Sequence, residues 1–426
     1  MRSVSALLKR DEFLAVSAAI LGFAADYLLN VALSRMLQAH EFGDFRVAQA
    51  FAFFCASLVL LGGDRAAPRM LAKPLDRAEF GVAWEYLRFY GLVGLGFSVL
   101  IIGVVWWSGY LYHDSWHIGT HHAVAIMALA IPLMAAGALA GRILQTVGRT
   151  FQAAMPWKVG APLLFLLALL LVQLATGQVG LHAVLWLACL TIAVIALAQW
   201  ALVRHNALKR VEFASGLRAG REWLVVSIPM MGVFLVTVGL AQSDLFFLEW
   251  FGVEREVGHY AAAVTTAHFI ILIQVSIVAV YAPLVARDIR SDSSVATGAA
   301  LSKGHRVIAL ALAPVVLAFV VGAVPIMNVF GTEFQNAAPA LRWLAIGNGV
   351  WAMAALSALW LQYQKRGLTV MRITIATLVV DSLLNVALIP SYGMLGAAAS
   401  SAATSAGSAA LLIWIARRPS TSFRRS

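Results

Sequence analysis

Three aspartates of this 426-residue chain, Asp26, Asp244 and Asp381, stand inside long apolar stretches. A charged side chain at the centre of a membrane helix costs roughly 2.5–3.5 kcal/mol on insertion scales, so each acid must face protein or water. Asn30 lies four residues beyond Asp26 and Asn385 four beyond Asp381, one helical turn away on the same face. Gln242 and Ser243 directly precede Asp244. Such groups take up a coupling cation or line a polar cavity that hydrogen-bonds a hydroxylated ligand; the plainer alternative is polar glue between helices. Arg142, with Gln145 one turn on, is the basic counterpart. Its guanidinium either grips phosphate oxygens in a bidentate fork or snorkels to a headgroup layer. Asp64, Arg65 and Arg69 cluster at the end of another apolar run, as a gate ion pair or an interface cluster. His268, in mid-run, is either a proton carrier or a packing histidine. His113, His117 and His121 are four apart, with His122 adjacent. A helix would stack the first three for a metal, but Gly119 and the polar setting argue against a helix, so no metal site is assigned.

The elements that must position these groups are set by composition. Of the residues, 61% are hydrophobic and 12% charged, against about 45–50% and about 25% in ordinary soluble domains. The mean hydropathy is +0.84. A soluble enzyme, a disordered chain and a disulfide scaffold are excluded, and the two cysteines sit in apolar runs. A membrane span needs about 20 mostly apolar residues. Twelve runs qualify: 13–36, 45–70, 85–110, 122–147, 156–175, 180–203, 223–249, 257–285, 305–330, 336–362, 368–390 and 393–416. They are continuous rather than alternating, which excludes a β-barrel.

Charge gives the orientation. With the N-terminus inside, every Lys and Arg falls at an inner end or loop except Arg35, Arg46, Arg255 and Arg342. This positive-inside bias accounts for the net charge of +11 without a nucleic-acid partner. Both termini are then cytoplasmic, and no cleavable signal is expected, because the first apolar run is long enough to span.

The chain also repeats. DEFLAVSAAILG (11–22) aligns with REWLVVSIPMMG (221–232), and EFGDF (41–45) with EVGHY (256–260). Gln145 and Arg149 answer Gln362 and Arg366, while Gly177, Gly180 and Ala183 answer Gly393, Gly396 and Ala399. Six spans per half make the repeats parallel, related by an axis along the membrane normal. The expectation is an all-α integral membrane protein of about twelve helices in two parallel six-helix lobes around a central cavity. Its parts are a lobe over 1–205, an amphipathic cytoplasmic linker over 206–222, a second lobe over 223–416 and a basic tail over 417–426.

LNVALIPSYGMLGAAASSA (384–402) resembles the eleventh-to-twelfth span signature of bacterial polysaccharide exporters. SRMLQAHEFGDF (34–45), VGHYAAA (257–263), VFGTEF (329–334) and LLGGDRAAPRML (60–71) resemble other turns of the same proteins. The chain is thus similar to the oligosaccharide flippase branch of the multidrug/oligosaccharidyl-lipid/polysaccharide exporter superfamily. That resemblance implies a secondary transporter of the bacterial inner membrane, carrying a lipid-linked (polyprenyl diphosphate) oligosaccharide to the outer leaflet by alternating access. The cargo would be a surface polysaccharide or O-antigen-type (lipopolysaccharide) repeat unit. It also implies membrane lipids as partners, and a glycan polymerase and glycosyltransferases nearby. Asp26, Asn30, Arg142, Gln145, Gln242, Asp244, His268, Asp381 and Asn385 then become candidates for the translocation cavity, and Asp64, Arg65 and Arg69 for a cytoplasmic gate.

Rival readings remain. GGDRAAPR sits where major-facilitator proteins carry G-x-x-x-D-R-x-G-R-R, but Leu60 and Ala67 stand where the two glycines belong. A G-x-x-x-x-G-K-[ST] loop is missing and the outer loops are short, which speaks against ATP hydrolysis and against a glycan-processing enzyme; no cofactor is implied. A cation-coupled multidrug exporter of the same superfamily and a non-transporting subunit of a glycan synthesis complex are the alternatives.

Overall fold

A computed structural model describes residues 2–111, 118–208, 220–251, 254–290, 294–364 and 366–417. Among these the chain is helical, with no strand: α1 (Arg2–Met36), α2 (Ala39–Val59), α3 (Gly63–Asp76), α4 (Phe80–Leu111), α5 (Ile118–Ala128), α6 (Ile131–Thr146), α7 (Thr150–Met155), a π turn (Pro156–Gly160), α8 (Ala161–Thr176), α9 (Leu181–Asn206), α10 (Gly220–Trp250), α11 (Glu254–Arg290), α12 (Ser294–Val321), α13 (Ala323–Asn328), a 3-10 turn (Thr332–Ala337), α14 (Ala338–Tyr363) and α15 (Gly367–Arg417). Ten of the described helices are long and apolar enough to cross a membrane, and an eleventh span is formed if α5 and α6, bent by 44°, cross as one. The 51-residue α15 is itself two helices joined at Gly393, where φ is 54° and ψ is −134°. Large apolar side chains point outward, among them Val99 on α4, Leu174 on α8, Trp250 on α10 and Leu310 on α12. That surface suits hydrocarbon as its solvent.

Three expected runs break, the one over 122–147 at the bend between α5 and α6. The run over 45–70 stops at Val59, because Leu61 (φ 45°) and Gly62 (φ 78°) turn the backbone left-handed before α3 begins. Asp64, Arg65 and Arg69 therefore ride on a separate short helix rather than on the end of a span. The run over 305–330 is interrupted at Gly322, between α12 and α13.

Packing divides the chain into Met1–Val238 and Gly239–Ser426, so α10 begins in the first unit and ends in the second. The expected linker over 206–222 falls mostly outside the described residues.

In the first unit Leu33, Phe42, Phe45, Met127, Ile131 and Leu139 are fully buried. α1 packs on α7, the π turn and α8. Gly22 faces the Lys158 carbonyl so closely that a Cβ would stand 2.5 Å from it. The Gly137–Gly141 pair of α6 admits side chains, the Trp157 indole and the Gln199 amide. That indole donates to the Gln199 side chain, whose amide donates to the Ala153 carbonyl at 3.0 Å just before the π turn.

In the second unit α14 packs along α11, α12 and α15 around Ile270, Ile308, Leu312, Ala352 and Leu356. The Gly393 break is capped from α11: the Met394 N–H donates to Glu256 Oε2 at 2.5 Å. Gly177, which answers Gly393 in the repeat, is also left-handed, at φ 75°. Turns with the same handedness at matched places are what duplicated halves predict.

Candidate functional site

Asp244 and Asp381 come together in the second unit. The short helical spacing from Asp381 to Asn385 on α15 presents both side chains on one face, toward the last turns of α10. Asn385 Nδ2 donates to Asp244 Oδ1 at 2.8 Å and to Asp381 Oδ2 at 3.1 Å. Hydroxyls fill the remaining positions. Tyr260 of α11 and Ser401 (2.5 Å) donate to Asp244 Oδ2. Ser243 donates to Asp381 Oδ2 at 3.0 Å, and Ser400 (3.2 Å) and Thr404 (3.1 Å) donate to Asp381 Oδ1. Asp381 and Asn385 are wholly buried, and Asp244 is 8% exposed.

The charge balance of this pocket is unusual. Among the described residues no Lys or Arg pairs with either carboxyl. Two carboxylates in a low-dielectric site cannot both ionise unless a positive charge joins them. Asn385 Oδ1 is buried there without a hydrogen-bond donor. Carboxylates, an amide oxygen and hydroxyls together form an all-oxygen donor set, which suits a hard cation or a shared proton. Thr377, Thr404 and Ser408 line an adjoining cavity of about 250 Å³ between the two halves of α15.

The first unit builds its acid differently. Asp26 is exposed, and it accepts from Asn30 Nδ2 at 3.2 Å. Its electrostatic partner is Arg46 of α2, whose Nη1 donates to Gln49 at 2.8 Å and whose Nε is buried without a partner. Asn30 Oδ1 is likewise buried and open. Among the described residues, the second unit thus sets Asp244 and Asp381 together without a cation, and the first sets Asp26 beside a guanidinium.

A third polar group occupies the other end of the first unit. Asp64, 5% exposed, forms an ion pair with Arg65 at 2.9 Å and feels the charge of Arg142. Burial pushes its carboxyl up to about 6, against the pull of Arg142. Arg142 Nη1 donates to Gln145 at 2.8 Å, and the Arg65 guanidinium lies 3.4 Å from the centre of the Phe234 ring. Arg69 is exposed one turn further along α3.

Of the expected cavity residues, then, the structure joins Asp244, Asp381 and Asn385, pairs Asp26 with Asn30, and pairs Arg142 with Gln145. Gln242 is half-buried, and its neighbour Ser243 makes the contact to Asp381. His268 is exposed on α11, whereas His259, beside Tyr260, is buried. Tyr260, Ser400, Ser401, Thr404 and Arg46 join these sites without being among the expected cavity residues. The hydroxyl-rich run SSAATSAGS within an apolar span was the available signal for three of them. α5 starts at Ile118, so Gly119, His121 and His122 are helical after all, while His113 and His117 lie outside the described residues.

Comparison with known proteins fits this architecture. No curated protein matches the chain. Among solved structures, a multidrug resistance MATE family transporter of the MOP superfamily, in an inward-facing conformation, superposes with a TM-score of 0.73 at 14% identity, covering 95% of this chain and 93% of its own. The lipid II flippase MurJ, inward closed, gives 0.66 at 13% identity, covering 97% and 87%. A MOP superfamily transporter from Pyrococcus furiosus gives 0.58 at 14% identity, covering 96% and 95%. These likenesses give the fold alone, a helical, two-lobed architecture. The profile of the polysaccharide biosynthesis protein family matches residues 8–287, well over half of the sequence, and the chain belongs to that family.

Proposed function

We propose that the protein is a secondary transporter that flips a lipid-linked oligosaccharide, a surface polysaccharide or O-antigen-type repeat unit, across the bacterial inner membrane by alternating access. The observation that carries this reading is the buried Asp244–Asp381 pair, bridged by Asn385 and, among the described residues, without a Lys or Arg partner. A site of this kind is empty of positive charge until a cation or proton arrives, and its occupancy changes the energy of the lobe that holds it. A bound ion shifts a conformational equilibrium only by its differential affinity for the two states. The carboxyl and amide oxygens of Asp244, Asp381 and Asn385 hold the ion, and the surrounding hydroxyls orient them.

The cargo reading rests on family membership and on the basic groups of the first unit. Arg46 and Arg142 offer guanidinium forks for a diphosphate, while Asp26, Asn30 and Gln145 hydrogen-bond sugar hydroxyls. Asp64 and Arg65 form a cytoplasmic gate, with Arg69 at its rim. Both termini are cytoplasmic, and the lobes run over 1–205 and 223–416. Polymerase and glycosyltransferase partners follow from the same reading.

The test is complementation of a flippase-null strain at matched membrane abundance. Wild type restores surface glycan; Asp244→Asn and Asp381→Asn restore less than about a tenth of it, because a preformed charge site rarely tolerates loss of one member. Full complementation by both variants overturns the coupling role. A cation-coupled drug exporter is the second reading, favoured by the superposition on the MATE transporter. It predicts lowered drug sensitivity on expression and no rescue of glycan.

A further inference from the structure

At the end of the first unit that the charge bias places outside, two histidines from separate helices face one another. His122, in the first turns of α5, puts Nε2 3.2 Å from Nδ1 of His182, the second residue of α9. Their ring centroids are 4.4 Å apart, and both side chains are exposed. The spacing is set by packed backbone rather than by chance contact of long side chains. Below the pair, the Cys189 thiol of α9 donates to the Ile126 carbonyl of α5 at 3.6 Å. The Trp106 indole of α4 donates to the next carbonyl back, Ala125, at 3.2 Å. Ala123, Met127 and Ala128 of α5 and Val184 and Leu185 of α9 are fully buried. Both imidazoles are thus carried on backbone that the packing of α5 against α9 holds in place.

A neutral imidazole offers one in-plane lone pair. Two such nitrogens this close share a proton between them, or a metal ion to one side of the line that joins them where their lone pairs converge. In a tetrahedral zinc site with Zn–N of about 2.0–2.1 Å, ligand nitrogens stand about 3.3 Å apart. The observed 3.2 Å therefore matches the bite of a single ion. Among the described residues no third His, Cys, Asp or Glu completes a cluster.

We propose that His122 and His182 are the two protein ligands of a zinc site that clips the outer ends of α5 and α9 together. The site holds the first unit's outer rim rigid and is separate from the Asp244–Asp381 pocket, which has only oxygen donors. It belongs to the outer face and does not take part in cargo binding.

The test is zinc titration of the purified full chain in detergent after chelator treatment, read by calorimetry and by unfolding temperature. Wild type is expected to bind one equivalent and to unfold at higher temperature with zinc present. His122→Ala and His182→Ala are each expected to weaken binding by more than about tenfold and to abolish the shift, since loss of even an outer partner of a metal ligand weakens metal binding by about 10–100-fold. His182→Gln, which keeps size and polarity, guards against a folding defect: its metal-free unfolding temperature matches wild type while the zinc shift is gone. A combined His113→Ala, His117→Ala and His121→Ala variant keeps the shift. Zinc binding that survives His182→Ala, that follows the three other histidines, or that is missing in wild type overturns the proposal.

Discussion

Asn385 donates to Asp244 across 141 positions of sequence, at 2.8 Å, with the same nitrogen that reaches Asp381 one turn before it. A single amide thereby ties the last turns of α10 to the middle of the first helix of α15. Its own oxygen has no donor. Asn385→Ala removes both the bridge and the open acceptor and leaves two buried acids facing each other. The expectation is near-complete loss of glycan export with normal insertion, and loss of any cation-dependent rise in unfolding temperature. Retention of that rise in the variant would show that Asn385 is only a packing group.

Gly393 combines a left-handed φ of 54° with a site where any Cβ would run into the Glu256 carboxylate. Gly393→Ala therefore meets both backbone strain, of order 1–3 kcal/mol, and a steric clash. Glu256→Gln keeps the shape but loses the charge on the hydrogen bond from Met394, a cap worth about 0.5–2 kcal/mol. Membrane abundance and detergent unfolding temperature are expected to fall strongly for the first and slightly for the second. Equal, wild-type behaviour of both would remove the Glu256 cap from the account of this turn.

Most of the fold was legible because a span is a statement about composition over about 20 residues, and that survives errors at single positions. The breaks were not, because they depend on one or two backbone angles: Leu61 and Gly62 end α2 inside a run that is apolar throughout. Within the candidate site, the acids announced themselves by their cost in hydrocarbon, and Asn30 and Asn385 by helical spacing. Tyr260 and Ser401 did not, since a tyrosine and a serine in an apolar span are unremarkable until the fold brings Asp244 beside them. Arg46 reads in the sequence only as an outer-end charge, and the fold makes it the cation that Asp26 feels.

The two lobes should answer substitution unequally. Asp244→Asn takes a buried, unpaired acid to a neutral isostere, which leaves folding intact or improves it while removing the charge that recruits a cation. Asp26→Asn removes the anion that Arg46 faces but keeps a side chain that can accept from Asn30. At matched abundance, the first variant is expected to lose glycan export almost wholly and the second by only a few-fold. Equal severe defects would place coupling charges in both lobes; full activity of both would reduce the acids to packing groups.

The Asp64 carboxyl, raised by burial from 3.8 to about 6, makes the first unit sensitive to pH. Its folded value lies above its unfolded one, so the stabilisation it brings is fully present below about 4 and is lost as pH rises through about 6. At roughly 1.4 kcal/mol per unit, the difference between pH 4 and pH 8 is at most about 3 kcal/mol. Asp64→Asn removes the titration while keeping an acceptor for Arg65 and Arg142. The variant is expected to unfold at higher temperature than wild type at pH 8 and with no advantage at pH 4, in the same detergent. If the two proteins show the same dependence on pH across that range, the Asp64 carboxylate is already compensated by its two arginines, and burial does not control its charge.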